Sequence, residues 1–193
     1  MNAPGVVPRS APALAPPQGR AWHPGAGELV VLADGRGVRV RAVQPDDAAA
    51  EQAFVATLSP TSRRRRFHGA MKQLPASVLE AMTAIDFRHH VALVAEARCA
   101  DGAARLVADA RYVRDDRGDA EFAIAVADGW QGLGLGRALL QRLGRHARLS
   151  GVATLRGSVL ADNAPMLALM RSLGARLRDD LADATIVQAT FPL

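Results

Sequence analysis

Apolar and polar residues change rhythm several times along the chain, and each rhythm predicts a different element. Val38-Arg-Val-Arg-Ala42 alternates apolar with charged positions, which predicts a half-exposed first strand. Asp46 and Asp47 precede a helical stretch from Ala48 to Leu58, where acidic residues suit a helix start. A second helical piece follows Ser59-Pro60 and passes through Arg63-Arg-Arg-Arg66-Phe67. A third runs from Pro75 to about Thr83, with the proline in its first turn.

Three strands are predicted next. His90 to Ala95 is a continuous apolar run and reads as a central strand covered on both faces. Leu106 to Val113 follows the turn Cys99-Ala-Asp-Gly102, and Ala120 to Val126 follows Asp115-Asp-Arg-Gly118. A helix then extends to about Leu149, with Leu135, Leu139, Leu143 and Ala147 on one face. Val152 to Val159 predicts a strand. Asn163 suits the cap of a last helix, with Pro165 in its first turn and Met166, Leu169, Met170 and Leu173 on its buried side. Ala175–Leu177 and Thr185–Thr190 close the chain as short strands. This order is mixed α/β and not a regular βαβ repeat.

Composition adds a boundary. Residues 1–28 hold six of the eleven prolines, so a disordered Pro/Ala/Gly-rich leader is expected before a single domain over 29–193. All but one of the 24 basic residues are arginine, the exception being Lys72. A G+C-rich coding sequence explains that bias, as would an enzyme that modifies lysines. The net charge of +5 favours anionic ligands, but it is scattered and aromatics are few, so nucleic acid is not indicated. One cysteine, Cys99, excludes an internal disulfide and a multi-cysteine zinc site. His89 and His90 lack further ligand spacing, so no metal is expected. No apolar run approaches a membrane span and the N-terminus lacks a secretion signal, so a cytoplasmic protein is expected.

The chemistry concentrates in Gln131-Gly-Leu-Gly-Leu-Gly136-Arg137, between a strand and a helix. Alternate glycines expose backbone amides there, and the helix start adds its positive end, which suits a pyrophosphate. A Walker loop would need lysine after Gly136, and a dinucleotide fingerprint would need glycine or alanine at Arg137. Both patterns fail. The segment resembles the Gln/Arg-x-x-Gly-x-Gly/Ala signature of the GNAT N-acetyltransferase superfamily. Leu58-Ser-Pro-Thr-Ser62, Arg66-Phe67, Ile85-Asp86-Phe87, Ala92-Leu-Val-Ala95 and Ala120-Glu-Phe-Ala123 resemble the acetyltransferase domain of bacterial Pat-type protein lysine acetyltransferases.

The resemblance implies a GNAT fold of the α/β (α+β) class, with a mixed, mostly antiparallel sheet of six to seven strands flanked by about four helices. It implies acetyl-CoA as co-substrate, held by Ile124, Val126, Gln131, Gly132, Gly134, Gly136 and Asn163. Arg137 either joins them or is a solvated helix residue. Glu121 is the only acid within Ala120–Ala127, and the Pat-like pattern places its catalytic glutamate there. Phe122 and Ile124 are expected to give it apolar surroundings. Arg66 would line the substrate side, and Asp86 would either meet a substrate ammonium or cap local structure. Many members place a tyrosine in the last helix as general acid. Met170 stands at that position here, which leaves the acid unassigned.

The expected activity is acetyl transfer to a primary amine by direct attack, with a protein lysine as leading acceptor. A small-molecule amine is the alternative, as is a non-catalytic acyl-CoA-sensing module. The oligomeric state is not legible.

Overall fold

The computed structural model describes residues 27–69, 73–99 and 101–193, so the leader expected over 1–28 lies almost wholly outside the described residues. The chain runs β1 (Glu28–Val31), β2 (Gly37–Ala42), α1 (Ala48–Thr57), α2 (Pro60–Phe67), α3 (Ala76–Thr83), β3 (His90–Arg98), β4 (Ala104–Arg114), β5 (Ala120–Val126), α4 (Leu135–Leu149), β6 (Thr154–Leu160), α5 (Ala164–Ser172), β7 (Arg176–Asp179) and β8 (Ile186–Pro192). The eight strands form one sheet in the order β1-β2-β3-β4-β5-β6-β8-β7. Every pairing is antiparallel except β5 with β6. This is the mixed α/β, mostly antiparallel GNAT architecture, with one strand more than expected.

The extra strand is β1, which pairs with β2 around a turn at Gly35, where φ is +84°. Its run Glu28-Leu-Val-Val31 is short and edge-placed, with Leu29 71% and Val31 67% exposed, so no alternation marks it. The helices number five among the described residues, because α2 and α3 each complete about two turns. Asp47 does begin α1, but its carboxylate does not cap that helix. Arg41 takes it instead, through two contacts of 2.6 and 2.8 Å.

Alternation along the central strands sorts side chains onto two faces. Tyr112, Phe122 and Ile124 join Leu135, Leu139, Leu143 and Met170 in one core beneath α4 and α5. On the other face, Ala92, Val94 and Ala125 pack with Phe54, Val55, Leu58 and Met82 of α1–α3. The buried side of α5 differs from expectation: Leu167 and Met170 enter the core, while Met166 and Leu169 are only partly covered. Those two line the groove described next.

Candidate functional site

β5 and β6 pair only at Ala120–Leu155 and Glu121–Arg156, and then part. The first residues beyond the last pair are Phe122 and Gly157. A Cβ at Gly157 would stand 2.5 Å from ring carbons of Phe122, so the ring occupies the opening only because glycine faces it. The amide of Ala127 bonds Val107 on β4. By the two-residue alternation of an antiparallel ladder, the amides of Val126 and Ile124 therefore face the opening.

The opening leads into a groove of about 560 Å³ lined by Ile124, Val126, Gln131, Gly132, Gly134, Gly136, Arg137, Asn163 and Leu169, with Arg65 and Arg66 across from them. Gly132 and Gly134 take φ of +72° and +91°, a region that costs a side chain dearly, and space is open where their Cβ atoms would stand. Among the described residues, no acceptor takes the amides of residues 132–137. The first bond of α4 runs from Ala138 to the Gly134 carbonyl. Six successive backbone donors at a helix start are thus left open, and Gly132, Gly134, Gly136 and Arg137 among them line the groove, which suits an anion. At Gly136, a Cβ would meet the Leu169 side chain at 3.4 Å, an ordinary contact, so the groove wall here is apolar and close.

The other predicted residues have identifiable contacts. Asn163 caps α5, its side-chain oxygen accepting from Met166 at 3.4 Å, and it also lines the groove. Arg137 crosses the groove mouth to donate to Ser172 at 2.8 Å. Gln131 has its donors turned inward. Its side-chain amide reaches the Val126 carbonyl at 2.9 Å and Ser62 Oγ at 3.1 Å, and its backbone amide reaches the Asp128 carbonyl at 3.2 Å. Gln131 therefore ties the bend to β5 and α2.

Asp128 completes that tie and was not singled out from the sequence. Its carboxylate accepts from the Ser59 amide at 2.9 Å, Ser59 Oγ at 2.7 Å and Ser62 Oγ at 2.9 Å. Burial opposes its charge, but these donors outweigh burial and hold its pKa below the usual carboxylate range. The tie fixes the start of α2 beside the groove. A separation of nearly seventy positions hides such a pair from any local pattern, although Ser59 is legible as a helix cap.

A second cavity of about 330 Å³ adjoins the groove, sharing Arg65, Arg66, Ile124, Asn163 and Met166 with it and adding Glu121, His68 and Ser158. Glu121 is exposed. The apolar surroundings expected for it do not form on its own face, because Phe122 and Ile124 point into the α4 core. All three line the second cavity.

Arg66 is backed by a buried charge cluster. Its guanidinium lies 3.7 Å from Asp109, which also binds Arg111 through both carboxylate oxygens. Arg111 further reaches Glu51 Oε1 at 3.2 Å and the Met82 carbonyl at 2.9 Å. Burial first, and then the Asp109 charge, push the Glu51 pKa up to about 9, so Glu51 carries a proton at neutral pH. As a bare carboxylate its Oε2 would have no donor. With the proton it becomes a donor itself.

Asp86 does not line either cavity. Its Oδ1 accepts from the amides of Arg88, His89 and His90 at 2.8–2.9 Å, and its other oxygen meets His89 Nδ1 at 2.9 Å. The His90 and Arg88 amides hold its carboxyl far below the usual range, so it caps the entry to β3. The chain's one tyrosine, Tyr112, is buried on β4 with its hydroxyl 2.9 Å from His146, and Met170 is buried in the core. No tyrosine therefore reaches the groove. Among the described residues, no group of three His, Cys, Asp or Glu side chains is placed to hold a metal, and no helix is long and apolar enough to cross a membrane.

Two strands that part beside an amide-lined bend and a helix start define a class of protein: a transferase that takes a phosphate-bearing acyl carrier. The chain belongs to the acetyltransferase (GNAT) family, whose model matches residues 78–175, and acetyl-CoA is its co-substrate. It is 34% identical over 157 residues to an acetyltransferase of Pseudomonas aeruginosa, covering 81% of this chain and 84% of the relative. It is also 34% identical over 146 residues to acetyltransferase Pat of Mycolicibacterium smegmatis, covering 74% of this chain and 42% of that longer protein. The crystal structure of the GNAT domain of S. lividans PAT superposes with a TM-score of 0.78 at 30% identity, over 86% of this chain and 97% of that domain.

Proposed function

We propose that this chain transfers acetyl from acetyl-CoA to the side-chain amine of a protein lysine, with Glu121 as general base. The observation that carries the proposal is the position of Glu121 at the last β5–β6 pair, in a cavity that joins the groove. In this scheme the amides of Gly132–Arg137 hold the pyrophosphate, with Arg137 released from Ser172 to join them. Ile124, Val126 and Asn163 contact the pantetheine arm, and Gln131 fixes the bend that presents those amides. The thioester then lies at the junction of groove and cavity. Glu121 and His68 are exposed, so the cavity opens to solvent and admits a side chain presented on a protein surface.

A free lysine has a pKa near ~10.4, so its ammonium must lose a proton before its nitrogen can attack. Glu121 takes that proton. The nitrogen attacks the thioester carbonyl carbon, and the Val126 amide, which faces the opening, donates to the oxygen as charge builds. The attacking nitrogen sheds its second proton to solvent, and collapse breaks the C–S bond with the electron pair leaving on sulfur, a tolerable leaving group that draws its proton from solvent. The products are an amide and free coenzyme A.

Losing a general base slows transfer by roughly 10²–10⁴-fold. Glu121→Gln should therefore show such a loss in thiol release with a protein acceptor, and recover in part as pH rises and free amine accumulates. A near-wild-type rate at neutral pH would reject Glu121 as the base. Anti-acetyllysine blots against a panel of proteins, beside thiol release with small amines, separate the acceptor classes. Thiol release with small amines alone would overturn the protein acceptor.

A further inference from the structure

We infer that the acceptor cavity selects lysines with an acidic neighbour, whose carboxylate Arg65 binds. The inference rests on the proposal that the acceptor enters beside Glu121 and asks which acceptor that entry favours.

Arg65 lines both the groove and the acceptor cavity, at their junction. Its neighbours on α2 are already committed. Arg63 donates to the Leu58 carbonyl at 2.7 Å, Arg64 bonds Asp162, and Arg66 lies against Asp109. Among the described residues Arg65 has no ion-pair partner, and its Nε is buried without any acceptor. A buried donor left unpaired is costly, more so on a charged group, so the position calls for an incoming acceptor. A guanidinium meets a carboxylate as a planar fork, with two parallel bonds and a defined direction.

The surroundings agree in sign. Arg63, Arg64 and His68 line a further cavity of about 560 Å³ that shares His68 with the acceptor cavity. Among the described residues, Glu121 and Asp183 are the only carboxylates lining the two. An acceptor whose amine must pass these arginines to reach Glu121 approaches more easily if it brings negative charge. The proposed pyrophosphate seat at residues 132–137 belongs to the groove and not to the acceptor cavity, which Arg65 shares with Glu121. A carboxylate at the end of a longer acyl chain is the other possible source, and the test distinguishes it.

The experiment measures kcat/KM for two peptides that differ only in the residues flanking one lysine, Asp and Glu in the first and Asn and Gln in the second. The wild-type protein should favour the acidic peptide roughly tenfold, as a charge-assisted pair allows. That ratio should fall several-fold as salt is raised from low to high ionic strength. In Arg65→Gln the ratio should collapse toward one, whatever the absolute rate, and Arg65→Lys should keep part of it. A wild-type ratio near one, a ratio indifferent to salt, or a ratio retained in Arg65→Gln each overturns the inference. So does a selective loss of succinyl over acetyl transfer in Arg65→Gln with the peptide ratio intact, which would assign Arg65 to the acyl chain. Absence of transfer to every peptide would overturn the lysine proposal beneath it and this inference with it. Transfer without the ratio overturns this inference alone.

Discussion

Glu51 makes stability depend on pH in a way that one substitution can isolate. Its side chain is wholly buried between Arg111 and Asp109, and its pKa is raised from 4.5 to about 9. Across that window the native state keeps a proton that the unfolded chain has released. The unfolded state therefore binds fewer protons, and stability falls as pH rises. One proton contributes about 1.4 kcal/mol per pH unit, so about 3 kcal/mol between pH 6 and pH 8. Glu51→Gln keeps the shape and the donor but has no proton to lose, so its profile lacks this slope. Urea unfolding of both proteins at pH 6, 7 and 8 gives the difference directly. Shared contributions cancel, including those of His90 and His146, whose pKa values are lowered chiefly by burial. The variant should gain on the wild type at each step upward in pH. Parallel profiles would refute the assignment, for they would mean that Glu51 is ionised in the native protein.

Other consequences are open to the same kind of check. Gly134→Ala forces a side chain to φ of +91° and into the open space before the exposed amides. It should lower stability by about 1–2 kcal/mol and weaken coenzyme A binding at least tenfold in calorimetry. Gly157→Ala should cost about 1–3 kcal/mol in urea unfolding, because its Cβ overlaps the Phe122 ring, itself packed 6.0 Å from Phe191. Asp128→Ala removes the acceptor shared by Ser59 and Ser62 and frees α2 from the bend. It should raise the acceptor KM several-fold, and hydrogen exchange at residues 60–67 should quicken; unchanged exchange there would refute the tie.

Sequence periodicity revealed what depends on neighbours along the chain. The alternation Val38–Ala42, the apolar run at β3 and the Leu135–Leu139–Leu143 stripe each fall on the elements they predict. β1 escaped because an exposed edge strand needs no buried face, so nothing in its pattern distinguishes it from a tail. On α5, Met170 is buried as predicted, but Leu167 joins it in the core, while Met166 and Leu169 stay partly exposed because they line the groove. The glycine bend and Glu121 were legible as residue types in order. The parting of β5 from β6 is implied by the family resemblance and by no local pattern, since it depends on how Phe122 and Gly157 meet in space. No local pattern marks the Glu51–Asp109–Arg111 cluster or the Asp128 tie, whose members are scattered through the sequence.

The buried cluster also bears on the charge of the acceptor side. With all four groups ionised, Glu51 and Asp109 would balance Arg66 and Arg111. Holding a proton on Glu51 removes one negative charge and leaves Arg66, at the cavity wall, only partly compensated by Asp109. The positive character of the cavity is thus set from beneath as well as by the exposed edge of α2. It follows that Glu51→Gln, which fixes the cluster at its neutral-pH charge, should leave the preference between acidic and amide-flanked peptides unchanged at pH 7. Above about pH 9, where the wild-type Glu51 ionises, the two proteins should diverge, the wild type losing part of its preference and Glu51→Gln keeping it. Identical preferences across that range would disconnect the cluster from acceptor choice and leave Arg65 as the sole local determinant.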